Sequence, residues 1–218
     1  MAHLDIAQPQ QPVPASSPGP KNALRQLAAL HSEAEETAHL ANLLGRTVPF
    51  AIVITGLCAA TFAFGGDTLP EGIAWAVLVL LGVGAMARVY SRTMVAPFAR
   101  GPLQAFGADI MAILLYAGFA WGAGAFLALP QDAGIAAVIL FAVAPAIAVA
   151  VLLRERNCLN VFLAPAAALT AFASLLRPFP DGALDAALVL LAAAAVVGVA
   201  RLAERHSTPD IPGLAGLV

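Results

Sequence analysis

The chain has 218 residues, of which 61% are apolar and 11% charged, against roughly 45–50% and about 25% in ordinary soluble domains. So few charged side chains cannot clothe a water-facing surface, which excludes a conventional soluble globule. A net charge of −2 with no cluster of Lys and Arg leaves a nucleic-acid partner without an electrostatic footprint.

Residues 1–20 contain five prolines, three glutamines and no apolar block of signal-peptide length, which predicts a disordered tail and not an export signal. From Lys21 to Arg46 the composition changes to helix formers, and Leu27, Leu30, Ala34, Thr37, Ala41 and Leu44 recur three and four apart. That is the spacing of a heptad seam. With two alanines and a threonine in it, the seam predicts an amphipathic helix, on the membrane surface or against a bundle, ahead of a dimerising coiled coil. The acidic cluster Glu33, Glu35 and Glu36 opposes adhesion to anionic lipid.

Six apolar runs follow, paired into three hairpins. They cover 47–65 and 71–90 about the turn GDTLP, 108–129 and 134–153 about PQDA, and 158–176 and 183–200 about RPFPDG. Each approaches the ~20 residues that cross a hydrocarbon core of about 30 Å. Their continuous apolarity predicts helices and not the alternating strands of a barrel. Ten of the eleven Lys and Arg residues fall on one side of a six-span arrangement, and only Arg177 falls on the other. By the positive-inside rule both termini are expected in the cytoplasm, in a cell inner membrane. Trp75 and Trp121 lie toward the opposite side, where they read as interfacial anchors. Residues 206–218 read as a flexible C-terminal tail.

Chemistry inside a membrane needs ionisable groups at depth, and Asp109, near the cytoplasmic end of the third run, is the one candidate. It reads either as a proton or cation site paired with Arg100 or Arg46, or as a first-turn carboxylate favoured by the helix dipole. His3, His31, His39 and His206 all lie outside the runs, which removes haem ligation by paired membrane histidines and intramembrane zinc hydrolysis. His31 and His39 with Glu35 suggest at most a weak surface metal site, and solvated helix residues are the simpler reading. Cys58 and Cys158 are far apart and have no CxxC partner, so they read as apolar fillers. No nucleophile elbow or phosphate loop is present. The chain is therefore expected to be no enzyme and to carry no cofactor or metal.

Packing chemistry is what remains. Gly118 and Gly122, with Gly124, give the third run a small-xxx-small face, and Ala183, Ala187, Ala194 and Gly198 give one to the sixth. Pro145 and Pro165 lie inside the fourth and fifth runs, freeing the carbonyls of Phe141 and Val161 and offering pivots. Asn160, near the start of the fifth run, is placed to hydrogen-bond across helices.

An N-terminal helix leading into Arg46-x-x-Pro49, then Trp75-Ala-Val-Leu-Val-Leu-Leu-Gly-Val-Gly-Ala-Met-Ala-Arg88 followed by Tyr90-Ser-Arg92, resembles the bacterial multi-span membrane sensor regions, broadly MASE-type, that precede diguanylate cyclase or histidine kinase domains. The resemblance covers roughly residues 22–205. It implies an input module. The sequence departs from the pattern after the last run, where Pro209, Pro212, Gly213 and Gly216 end any helix and no GGDEF-like or kinase motif follows.

The expected architecture is an all-α integral membrane protein, a six-transmembrane-helix bundle preceded by a cytoplasmic amphipathic helix. The expected function is a sensory or interaction module that signals through helix packing to a cytoplasmic partner or a second copy of itself, within the lipid bilayer. The rival readings are a small transporter or channel for an apolar or weakly polar solute, and a scaffold subunit of a membrane complex.

Overall fold

The computed structural model describes residues 20–64, 69–95, 100–130, 133–177 and 181–207, so the two expected tails fall almost wholly outside the described residues. Within them the chain forms helices α1 (Pro20–Phe64), α2 (Leu69–Thr93), α3 (Arg100–Leu127), α4 (Ile135–Ala148), α5 (Arg156–Leu175) and α6 (Asp181–Ser207). A π-helical turn, Val149–Leu153, prolongs α4. Six helices are long and apolar enough to cross a membrane, so the protein is an all-α, multi-pass membrane bundle.

The segment expected as a separate N-terminal helix and the first span are one helix. At 45 residues, α1 is roughly 68 Å long, more than twice the hydrocarbon thickness of about 30 Å. It runs through Pro49, which lacks the N–H for Gly45 four residues earlier. Such a gap is tolerated where tertiary packing holds a membrane helix. Packing also divides the heptad seam: Leu27 and Leu30 are exposed, whereas Leu44, with its neighbour Leu43, is buried in the bundle.

Helix α3 begins at Arg100, eight residues ahead of the expected start at 108. Pro102 falls in the first turn, where its missing N–H loses no helical bond, and Leu103 and Phe106 are buried. Asp109 therefore lies in the third turn of α3 and not in its first, so the helix-dipole argument does not apply to it.

Helix α3 is the centre of the bundle, packed most extensively against α5 and next against α2, while α6 packs on α4 and α5. Glycines set the α3–α5 contact. A methyl group at Gly118 would collide with the Phe162 carbonyl oxygen and the Pro165 ring, and one at Gly122 would stand 2.8 Å from Leu169 Cβ and 3.0 Å from the Ala166 oxygen. Two backbones approach this closely only where side chains are absent. On α6 the packed face is Gly182, Ala186, Val189 and Ala193, one position away from the expected Ala183, Ala187, Ala194 and Gly198. Gly198 itself has nothing within 4 Å of where its Cβ would stand.

Arg177, the one basic residue outside the positive-inside pattern, is a structural clasp. It donates to the Ala133 carbonyl at 2.8 Å and to Asp185 Oδ2 at 3.3 Å, with side chains only 19% and 12% exposed. It thus ties the α5–α6 turn to the α3–α4 turn. Arg177→Gln should destabilise the bundle by roughly 1–3 kcal/mol, because the Asp185 carboxylate stays largely buried without its cation. Arg177→Leu with Asp185→Leu should recover much of that loss, as thermal unfolding in detergent would measure.

Candidate functional site

Three aromatic side chains meet toward the end of the bundle that carries the α1–α2 and α3–α4 turns, all well inside their helices. Trp75 of α2 stands edge-on to Trp121 of α3 at 5.3 Å, Trp121 stacks on Phe141 of α4 at 5.3 Å, and Trp75 is tilted against Phe141 at 5.9 Å. Trp75 is 0% and Trp121 1% exposed, so neither is the interfacial anchor its position suggests. Gly124 makes room for the cluster, since a Cβ there would strike the Trp75 indole nitrogen and come within 2.6 Å of Phe141 Cζ.

The cluster also supplies a hydrogen bond that the sequence of α4 cannot. Pro145 has no N–H for the Phe141 carbonyl, and Trp121 Nε1 donates to that oxygen at 2.8 Å. A helix interruption on α4 is thus satisfied from α3, in the way membrane bundles keep irregular helices. Trp75 Nε1 is fully buried and makes no hydrogen bond among the described residues. Its ring packs against Trp121 and Phe141.

Below Pro145 the regular helix gives way to the wider π-turn, a feature often found where a helix is interrupted for function. The chain then reverses through Arg154, which takes a left-handed conformation at φ 52° and ψ 33°. For a residue with a side chain this conformation costs about 1 kcal/mol. Helix α1 closes over the reversal. Arg46 donates to the Leu153 carbonyl at 3.3 Å, and His39 Nε2 meets Glu155 Oε2 at 2.9 Å. A contiguous path runs from Trp121 through Phe141, Pro145 and the π-turn to Arg46 and His39.

The other expected residues are distributed around this path. Pro145 and Pro165 are both buried, and the Pro165 ring fills the notch at Gly118, so movement there would open the α3–α5 contact. Asn160 is half-buried and Asp109 is exposed on α3; neither side chain makes a hydrogen bond or ion pair among the described residues. Arg46, considered as a partner of Asp109, is turned to Leu153. The Arg100 side chain lies outside the described residues. His31 meets Glu35 at 3.1 Å in solvent, while His39 turns away to α5, so the two histidines do not converge. Cys58 and Cys158 are buried free thiols.

Two functional features escape the sequence reading. The inward orientation of Trp121 was signalled by its neighbours Gly118, Gly122 and Gly124, because a large ring among the small residues of a packing face points into the bundle. The His39–Glu155 contact joins residues distant in sequence and had no local signal. Comparison with protein-family models, with curated proteins and with solved structures finds no match.

Proposed function

We propose that the chain is a sensory or interaction module of a bacterial inner membrane, with both termini cytoplasmic, acting by helix packing on a cytoplasmic partner held along the exposed part of α1. The observation that carries this reading is the double tie from α1 to the α4–α5 turn, Arg46 to Leu153 and His39 to Glu155. A change of packing around Trp121 and Phe141 alters α4 at Pro145, and the tied turn passes that displacement to α1. Packed elements that hold two discrete arrangements transmit small shifts in this way. Leu24, Leu27 and Leu30, each more than 60% exposed, offer the partner an apolar strip. The likeness of Arg46-x-x-Pro49 and of the Trp75-to-Arg88 helix to MASE-type regions supports the same reading. Catalytic output then belongs to the partner.

The test is photo-crosslinking in native membranes. A photoreactive side chain at Leu27 or Leu30 should capture a discrete cytoplasmic protein whose activity changes with Pro145→Ala. Failure to capture any protein from Leu24, Leu27 or Leu30, together with proteoliposome uptake of a solute abolished by Asp109→Asn, would replace this reading with transport. Reporter fusions at Leu69, Gln131 and Asp181 should all show a periplasmic location, and a cytoplasmic signal at any of them contradicts the orientation.

A further inference from the structure

A groove of about 1150 Å³ lies between α4, its π-turn, the start of α5 and α6. Its walls are apolar, with Ile139, Val143 and Ile147 on one side and Ala195, Val196 and Val199 on the other. Its mouth is different. Arg154, Glu155 and Arg156 stand there, at the end of the bundle where α4 finishes and α5 begins. Arg154 and Arg156 are exposed, and neither makes an ion pair or side-chain hydrogen bond among the described residues. Glu155, whose carboxylate meets His39 Nε2 at 2.9 Å, sets one negative charge against their two positive ones. The groove thus joins a long apolar trough to two unpaired guanidinium groups at one end.

We propose that this groove binds a single anionic phospholipid of the surrounding leaflet, its phosphate held by Arg154 and Arg156 and an acyl chain lying between α4 and α6. Three features select a membrane lipid. The groove opens on a face whose large side chains are exposed, Ile147, Val151 and Val199 among them, which in a membrane-spanning bundle is the face toward lipid. From Arg154 back to Ile139 the trough follows α4 for roughly 22 Å, enough for a chain crossing one leaflet of about 15 Å. Basic groups beside an apolar cleft between membrane helices are the general means by which proteins select anionic headgroups. Because the mouth is formed by the same turn that Arg46 and His39 tie to α1, lipid bound there touches the segment proposed above to move. The lipid site itself does not depend on that proposal.

The test is native mass spectrometry of the full chain released from nanodiscs containing equal phosphatidylglycerol and phosphatidylcholine. The native chain should retain phosphatidylglycerol in preference by about thirtyfold, the scale of two basic residues at an anionic headgroup. Arg154→Gln with Arg156→Gln should bring the ratio near parity, and Arg88→Gln with Arg92→Gln should leave it unchanged. Ala195→Trp, which fills the trough from α6, should lower retention of lipid of either kind. Protection of the buried Cys158 thiol from maleimide shows that each variant is folded. Parity in the native chain, or a preference that survives loss of Arg154 and Arg156, overturns the proposal. Displacement of the lipid by chainless glycerophosphoglycerol also overturns it, since the site would then serve a soluble anion.

Discussion

Gly118→Leu should separate α3 from α5 and destabilise the bundle by about 3 kcal/mol, at the upper end of what overpacking causes in a close-packed interior. The reason is that the obstruction is backbone: even the first carbon of a side chain at 118 meets the Phe162 carbonyl and the Pro165 ring, and neither can rotate aside. Gly198→Leu is the matched control. Nothing lies within 4 Å of the corresponding position on α6, so its effect should stay within roughly 0.5 kcal/mol. Cys158 is 0% exposed and reports the outcome directly: in detergent, Gly118→Leu should speed maleimide labelling of Cys158, and Gly198→Leu should not. Equal labelling rates in the two variants would mean that α3 and α5 are not in backbone contact.

The second large effect belongs to Trp121. Trp121→Phe leaves the Phe141 carbonyl, buried and already deprived of a helical donor by Pro145, without the indole N–H at 2.8 Å. The loss should be roughly 1–3 kcal/mol for the hydrogen bond, beyond the smaller ring. Pro145→Ala restores a backbone N–H four residues after Phe141, so Trp121→Phe should be much less harmful in that background. The two substitutions should therefore couple by about 1–2 kcal/mol in a double-mutant cycle. Trp75→Phe loses ring volume but no hydrogen bond, and should not couple to Pro145→Ala. Additive behaviour of Trp121→Phe and Pro145→Ala would show that the indole does not satisfy the kink.

The freed carbonyl at Phe141 follows from the position of Pro145 alone, because a proline always deprives the residue four before it. Its donor does not, since Trp121 sits on another helix and only the assembled bundle brings them together. The six spans were legible for a similar local reason: each apolar run has the length that lipid imposes. The division between residues 46 and 47 was misplaced because it followed the change of composition after Arg46, whereas α1 continues through that point and through Pro49, an interruption that neighbouring helices support in a membrane bundle. On α6 nearly every residue is small or apolar, so the 3.6-residue period could not separate the face of Ala186, Val189 and Ala193 from that of Ala187 and Ala194. The start of α3 moved for the opposite reason. Leu103 and Phe106 form one buried face of a turn that also carries Gln104 and Gly107, and the mixed composition hid it from a search for uninterrupted apolarity.

Arg177 shows how a charge rule and a packing role coexist. Counted as a topogenic charge, it is an exception to the arginines gathered at the other end of the bundle. Placed between Ala133 and Asp185, it is largely neutralised and holds the α3–α4 and α5–α6 turns together. The opposite end of the bundle uses its charges differently. There Arg46 and His39 reach from α1 to a turn at which two further arginines stand unpaired, so the same few residues join the exposed helix, the interrupted helix and the lipid-facing groove.

The most direct test of this coupling is a distance measured between spin labels at Leu30 on α1 and Leu191 on α6, both exposed, in nanodiscs and in a Cys58→Ala, Cys158→Ala background. With α1 tied to the π-turn, the native chain should give one narrow distance distribution. Pro145→Ala should shift it, and His39→Ala with Arg46→Ala should broaden it. Three superimposable distributions would contradict the coupling of α1 to α4 on which the proposed function rests.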